Sequence, residues 1–130
     1  MAGALVLASR SEVKRGEWEG YKDSRLIIRP VGSVAYKLAL VAAGMADATW
    51  TLTPKNEWDV AAGVALVEAA GGVVRSLAKS SLGFNNELVG VSGFLAAGPR
   101  LQEEVTSLIQ RHMEACAPAA FIPSSDPKRE

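Results

Sequence analysis

Residues 57–72 constrain the chain most. They open with Glu57-Trp58-Asp59, continue as valine, alanine, leucine and glycine interrupted by Glu68 alone, and close with Gly71-Gly72. Val60, Val64 and Val67 recur at helical spacing and the paired glycines stop the run. A helix over Asp59–Ala70 with one buried face is expected. Asp59 stands at its start as a single carboxylate, with Ala62 and Gly63 one turn later. A buried helix start floored by small residues leaves room for a cation and an anionic ligand. The same residues serve equally as an N-cap and as close packing.

Around this segment strands alternate with helices. Ala4–Ala8 reads as a buried strand running into Ser9-Arg10-Ser11. Glu12–Arg25 is charged, with Trp18 and Tyr21 as anchors. Leu26–Ile28 is a short strand closed by Pro30. Ser33–Met45 is helical, with Val34, Leu38, Val41 and Met45 on one face. Ala48–Leu52 has strand composition, and Pro54-Lys55-Asn56 is a turn. Val73-Val74, Leu88–Val91 and Phe94–Ala97 are further strands. Pro99 opens a last amphipathic helix from its first turn, with Leu101, Val105, Leu108 and Ile109 inward. His112 on that helix is expected to be solvated. The alternation argues for an α/β layer structure, one domain over residues 1–116. From Ala117, prolines, serines and charges read as a disordered tail, 117–130.

Composition narrows the function classes. The formal net charge of zero gives no electrostatic footprint for a nucleic-acid polymer or an anionic membrane. Cys116 is the sole cysteine, so an internal disulfide is excluded and a reducing, cytoplasmic setting is expected. No secretory signal or membrane-length apolar run is apparent.

Three ordered motifs carry a resemblance: Gly32-Ser33-Val34-Ala35-Tyr36-Lys37; Val41-Ala42-Ala43-Gly44-Met45-Ala46-Asp47-Ala48; and Trp58-Asp59-Val60-Ala61-Ala62-Gly63 with Glu68-Ala69-Ala70-Gly71-Gly72. Over roughly Leu5–Ile109 the chain resembles the inositol monophosphatase superfamily of magnesium-dependent phosphatases. The resemblance implies the C-terminal α/β half of a layered αβαβα fold, a mixed sheet flanked by helices. Ser9-Arg10-Ser11, Lys37 and Pro54–Asp59 resemble the branch that removes a phosphate from 3′-phosphoadenosine 5′-phosphate, the by-product of sulfate transfer. In the inositol-specific branch a glutamate that binds sugar hydroxyls falls at Thr51.

The resemblance implies roles. Asp59 is a ligand to Mg²⁺, which favours carboxylate, water and phosphate oxygens. Lys37 and Ser33 hold phosphate, with the helix start adding N–H groups, and Ser9 donates to phosphate or ribose. Taken alone, each is an ordinary residue: a solvated lysine, an N-cap, a strand-end hydroxyl. Glu12 departs from the branch, which has histidine there. The superfamily's first metal signature, Asp-Pro-(Ile/Leu)-Asp-Gly-Thr, is absent from this sequence. Half of a phosphatase, inactive alone and completed by an N-terminal half or by self-association, is therefore expected. The 48% hydrophobic content agrees, with apolar residues on more than one face of both central helices. A sugar- or inositol-phosphate phosphatase, or a non-catalytic anion- or partner-binding module, are the alternatives.

Overall fold

A computed structural model describes residues 1–77, 84 and 90–116. The expected tail over 117–130 and the Leu88–Val89 part of a strand lie outside the described residues.

Five strands form one mixed sheet: β1 (Leu5–Ser9), β2 (Ile27–Val31), β3 (Ala48–Thr51), β5 (Val73–Ser76) and β7 (Phe94–Ala97), in the order β2-β1-β3-β7-β5. β1 runs parallel to both neighbours, with Leu7 opposite Arg29 on one side and Thr49 on the other. β7 is antiparallel to β3 and β5. A two-residue pair, β4 (Lys55–Asn56) with β6 (Gly90–Val91), stands apart as a second sheet. The segment expected as a simple turn, Pro54–Asn56, thus contributes a strand. β2 continues through Pro30, which was expected to close it. β2 is an edge strand, where a residue without an N–H leaves no ladder bond unmade on the open side.

Alternation along the strands divides the core into two. Val6, Ala8, Ala48, Trp50, Leu95 and Ala97 face the helix α4 (Gln102–Cys116), meeting Val105 and Ile109. Leu7, Phe94 and Ala96 face the helices α2 (Val34–Ala42) and α3 (Glu57–Ala69), meeting Leu38, Val41, Val60, Val64 and Val67. The expected inward faces of α3 and α4 are those observed. α2 is shorter than expected: Gly44 at φ 71° stops it, leaving Met45 outside the buried face and 68% exposed. α4 begins three residues after Pro99, which sits in the turn that Gly98 starts by accepting the Leu101 and Gln102 amides.

Two expectations about the central segment are corrected. Asn56, not Asp59, occupies the N-cap position of α3, because β4 feeds straight into the helix. Asp59 is the third helical residue and exposed, whereas its helix neighbours Glu57 and Val60 are buried. The small-residue floor is not open either. A Cβ at Gly63 would lie 2.5 Å from Leu38 Cδ1, so Gly63 is where α2 and α3 touch. His112 is likewise not solvated: its ring lies 4.4 Å from that of Tyr21, which closes the aromatic cluster of Trp18, Tyr21 and Trp50.

Candidate active site

Because β1, β2 and β3 are parallel, their C-terminal ends share one edge of the sheet. From β1 the chain passes to β2 on one side and to β3 on the other, a topological switch point where α/β folds bind ligands. Everything that leaves this edge belongs to the candidate site. β1 leads through Ser9 into a short helix α1 (Arg10–Lys14), β2 through Gly32 and Ser33 into α2, and β3 through Thr53 to β4 and α3.

Ser9 precedes α1 and shares a 2.9 Å hydrogen bond with the Ser11 hydroxyl. The Arg10 side chain crosses from the end of β1 onto Gly32, where a Cβ would come within 2.5 Å of Arg10 Nη2 and displace that guanidinium. Ser33 is the N-cap of α2, accepting a 3.3 Å hydrogen bond from the Tyr36 amide. Its backbone sits at φ 62°, ψ 118°, a conformation that strains any residue with a Cβ and that recurs at functional turns.

Lys37, one turn into α2, is 4% exposed. That overturns its default reading as a solvated helix lysine. Its ammonium makes no hydrogen bond and no ion pair within 4 Å among the described residues. Burial pushes its pKa below 10.5; the Glu12 charge opposes that shift and the Lys55 charge adds to it.

Glu12, which the sequence argument left without a role, is the hub of the edge. It is 1% exposed. Oε1 accepts a hydrogen bond from the Thr51 hydroxyl and lies 3.9 Å from Lys55 Nζ, while Oε2 accepts the Trp18 indole N–H at 3.2 Å. Thr51 is held in turn by the Thr53 amide at 3.1 Å. One signal could have found Glu12: a buried indole needs an acceptor, and Trp18 stands in a polar segment whose nearest acidic residue one helix earlier is Glu12. Lys55 gave no such signal, since its approach depends on how β4 is laid beside β6. Beside Glu12 opens a cavity of about 510 Å³, lined by Arg15, Glu17, Trp18, Leu52, Thr53 and Pro54 among others.

The structure therefore brings Thr51 and Lys55 onto Glu12, with the Lys37 charge felt by the same carboxylate and with Ser9 and Ser33 on the same edge. Asp59 leaves that edge on the first turn of α3, and no hydrogen bond or ion pair joins it to Ser9, Ser33 or Lys37. Among the described residues no group of three or more His, Cys, Asp or Glu side chains could hold a metal ion. Mg²⁺ demands near-octahedral oxygen ligands and gives up water reluctantly. The donors on these residues do not by themselves fit a magnesium site.

A family model described as "Inositol monophosphatase family" matches residues 4–114. The chain belongs to that family. Among curated relatives of this inositol monophosphatase family member, the Nus factor SuhB of Pseudomonas aeruginosa is 35% identical over 86 residues, 66% of this chain and 30% of that protein. The fructose-1,6-bisphosphatase/inositol-1-monophosphatase of Thermotoga maritima is 32% identical over 90 residues, 67% of this chain and 32% of that protein. Among solved structures, the Thermotoga maritima IMPase superposes with a TM-score of 0.71 at 25% identity, over 88% of this chain and 43% of that one. CysQ from Bacteroides thetaiotaomicron superposes with a TM-score of 0.60 at 30% identity, over 75% of this chain and 38% of that one. The chain thus spans about a third or less of its curated relatives and under half of these structures. The fold expected from the motifs, a mixed sheet flanked by helices, is the fold observed. No helix among the described residues is long and apolar enough to cross a membrane.

Proposed function

We propose that residues 1–116 are the substrate-holding α/β half of a magnesium-dependent phosphatase of small phosphorylated metabolites, and that its substrate is 3′-phosphoadenosine 5′-phosphate, released as AMP. The observation that carries this reading is Lys37: a largely buried lysine in the first turn of α2 whose ammonium has no hydrogen-bond or ion-pair partner among the described residues. A phosphate group supplies the acceptors that this ammonium lacks. Ser33 and the first amides of α2 add N–H groups and the positive end of the helix dipole, and Ser9 offers a hydroxyl from the next strand end. The Glu12 charge opposes the lowering of the lysine's pKa by burial. Asp59 is the one carboxylate that this half contributes towards a metal, the others coming from outside these residues.

A second reading, an inositol or sugar phosphate, has its own support. Curated relatives in Mesorhizobium japonicum and Caulobacter vibrioides are named inositol-1-monophosphatase. The Glu12 carboxylate, hydrogen-bonded to Thr51, also returns an acid to the position where the inositol branch carries a glutamate. A panel of 3′-phosphoadenosine 5′-phosphate, AMP and inositol 1-phosphate, assayed with Mg²⁺ on a longer parent protein, separates the two. Preference for inositol 1-phosphate discards the nucleotide. Phosphatase turnover by the 130-residue chain alone, lost in Asp59→Asn, discards the half-enzyme.

The same reading names a partner surface. Tyr36 on α2, Met45 just after it, and Trp58 and Leu66 on α3 are large apolar side chains left exposed. We assign these side chains to contact with the remaining half or with a second copy. Sedimentation of the isolated chain tests it: self-association or dye binding is expected, and a compact, dye-negative monomer at micromolar concentration refutes it.

A further inference from the structure

The helix α4 ends at the same edge of the sheet as the candidate site. Ala97 at the end of β7 pairs with Ala48 at the start of β3, and the Gly98 amide bonds the Asp47 carbonyl at 3.4 Å. α4 therefore starts at the opposite edge. Its 15 residues, rising about 1.5 Å each, carry the chain back along the face of the sheet. It lands on the segment that follows α1. The His112 ring lies 4.4 Å from that of Tyr21, and a Cβ at Gly20 would come within 2.0 Å of His112 Cε1. Cys116, the last helical residue, places Sγ 3.8 Å from His112 Nε2.

Tyr21 also belongs to the wall of the 510 Å³ cavity, with Trp18, Trp50, Leu52 and Pro54. The polar side chains that line the cavity are engaged already. Arg15 bonds Glu17 at 2.6 Å and Thr53 at 3.4 Å, and Glu12 holds Trp18 and Thr51. The open wall calls for an apolar occupant, and Leu52 stands on it 39% exposed.

The sequence supplies that chemistry a few residues on. Past Cys116 it reads Ala117-Pro118-Ala119-Ala120-Phe121-Ile122-Pro123, and it becomes polar and charged only from Ser124. The five residues from Cys116 to Phe121 span up to about 17 Å when extended, enough to reach the cavity from the end of α4. Pro118 and Pro123 restrict the backbone on either side, which lowers the entropy lost on docking. A tether this short holds the two side chains at an effective concentration on the order of millimolar, an advantage that an untethered occupant lacks.

We propose that Phe121 and Ile122 occupy this cavity and cover the cluster of Trp18, Tyr21 and Trp50. The occupant is a segment of the same chain, and α4 is the arm that delivers it. With the cavity filled, the Glu12 carboxylate that lines it is cut off from water on that side. Neither Lys37 nor phosphate enters the inference, so it stands apart from the substrate reading.

The test uses the full 130-residue chain at low and high micromolar concentration. Nuclear Overhauser contacts from the Phe121 ring and the Ile122 methyls to Leu52 and the Trp18 indole are expected, unchanged on dilution. Phe121→Ser and Ile122→Ser should each shift the amides of Arg15, Leu52 and Thr53, while Asp126→Ser should leave them in place. Both variants lie beyond α4, so the remaining amide pattern should stay that of the wild type. Absence of the contacts, with the cavity amides indifferent to both variants, overturns the proposal. So do contacts that vanish on dilution, which assign the cavity to a second copy, and contacts to a molecule outside the chain, which assign it to a ligand. Failure of Lys37 to bind phosphate bears on the substrate reading alone.

Discussion

The two ends of the central sheet are built on opposite principles. Where β1 and β3 begin, polar groups are used up by the fold. Asp47 accepts the Leu5 amide at 2.7 Å through its carboxylate and returns its own amide to the Leu5 carbonyl at 2.9 Å. Its carbonyl also takes the Gly98 amide at 3.4 Å. Where the same strands end, polar groups are left over. The Lys37 ammonium has no hydrogen-bond or ion-pair partner among the described residues, Ser33 holds a strained backbone, and Lys55 Nζ stands 3.9 Å from Glu12 Oε1. A polar group bonded within the chain stabilises the fold, whereas a strained backbone costs stability and recurs at functional turns. The two edges thus differ in how their polar groups are partnered within the chain.

Substitutions should split accordingly. The largest effect is expected from Asp59→Asn in a longer parent protein: phosphatase rate at background with an unchanged melting temperature. Asp59 is exposed on α3 and the cap is Asn56, so the fold does not depend on it. A parent that keeps near-normal turnover removes Asp59 from the site.

Next comes Trp50→Ala, on the face of β3 turned away from α2 and α3. Trp50 is fully buried, stacked 4.7 Å from Trp18 and edge-on to Tyr21 at 5.2 Å. A loss of about 3–5 kcal/mol is expected in urea unfolding. A loss under about 1 kcal/mol would mean that the aromatic cluster is not the structural side of the comparison.

Lys37→Met should do the reverse. Binding of 3′-phosphoadenosine 5′-phosphate to the parent should fall by about one to two decades, with a smaller loss for a monophosphate. Stability should stay equal or rise, because a buried charge is removed. The wild-type ammonium titrates below 10.5 when folded and at its ordinary value when unfolded. Its destabilising effect is therefore full below the lowered value and fades as pH rises from that value to 10.5. Unfolding curves for both proteins from pH 7 to 10.5 should converge; parallel curves would place Lys37 in water.

The smallest effect concerns Tyr21, the one orphan on the structural side. Its hydroxyl is buried without a hydrogen-bond partner among the described residues, and burial pushes its pKa up to about 12. Tyr21→Phe should gain about 1 kcal/mol at pH 8. Wild-type stability should fall as pH rises from 10 towards 12, since the unfolded chain ionises first, and the variant should lack that limb. A variant less stable than wild type at pH 8 would show that the hydroxyl has a partner.

Much of this was legible in the residues. Valines at helical spacing told which face of α3 is buried, because side-chain direction follows the helical turn. The paired glycines told where it stops, Gly71 taking φ 86°. The order of three motifs told the family and hence the mixed sheet. These are local or near-local properties, written in spacing. Asp59 was misjudged because a cap position depends on where the preceding strand lets the helix begin. His112 was misjudged because a lone histidine on a helix does not announce the tyrosine that packs on it from ninety residues away.

What the tertiary structure alone decided is the chemistry of the edge. Glu12, Lys37, Thr51 and Lys55 lie on four different elements, and nothing in their spacing relates them. Parallel pairing of β1 with β2 and β3 carries their loops to one end of the sheet. Whether a lysine is solvated or buried then depends on which side chains arrive around it, and that is a property of packing between distant segments. Local periodicity specifies elements; the balance of charge between them exists only once they are assembled.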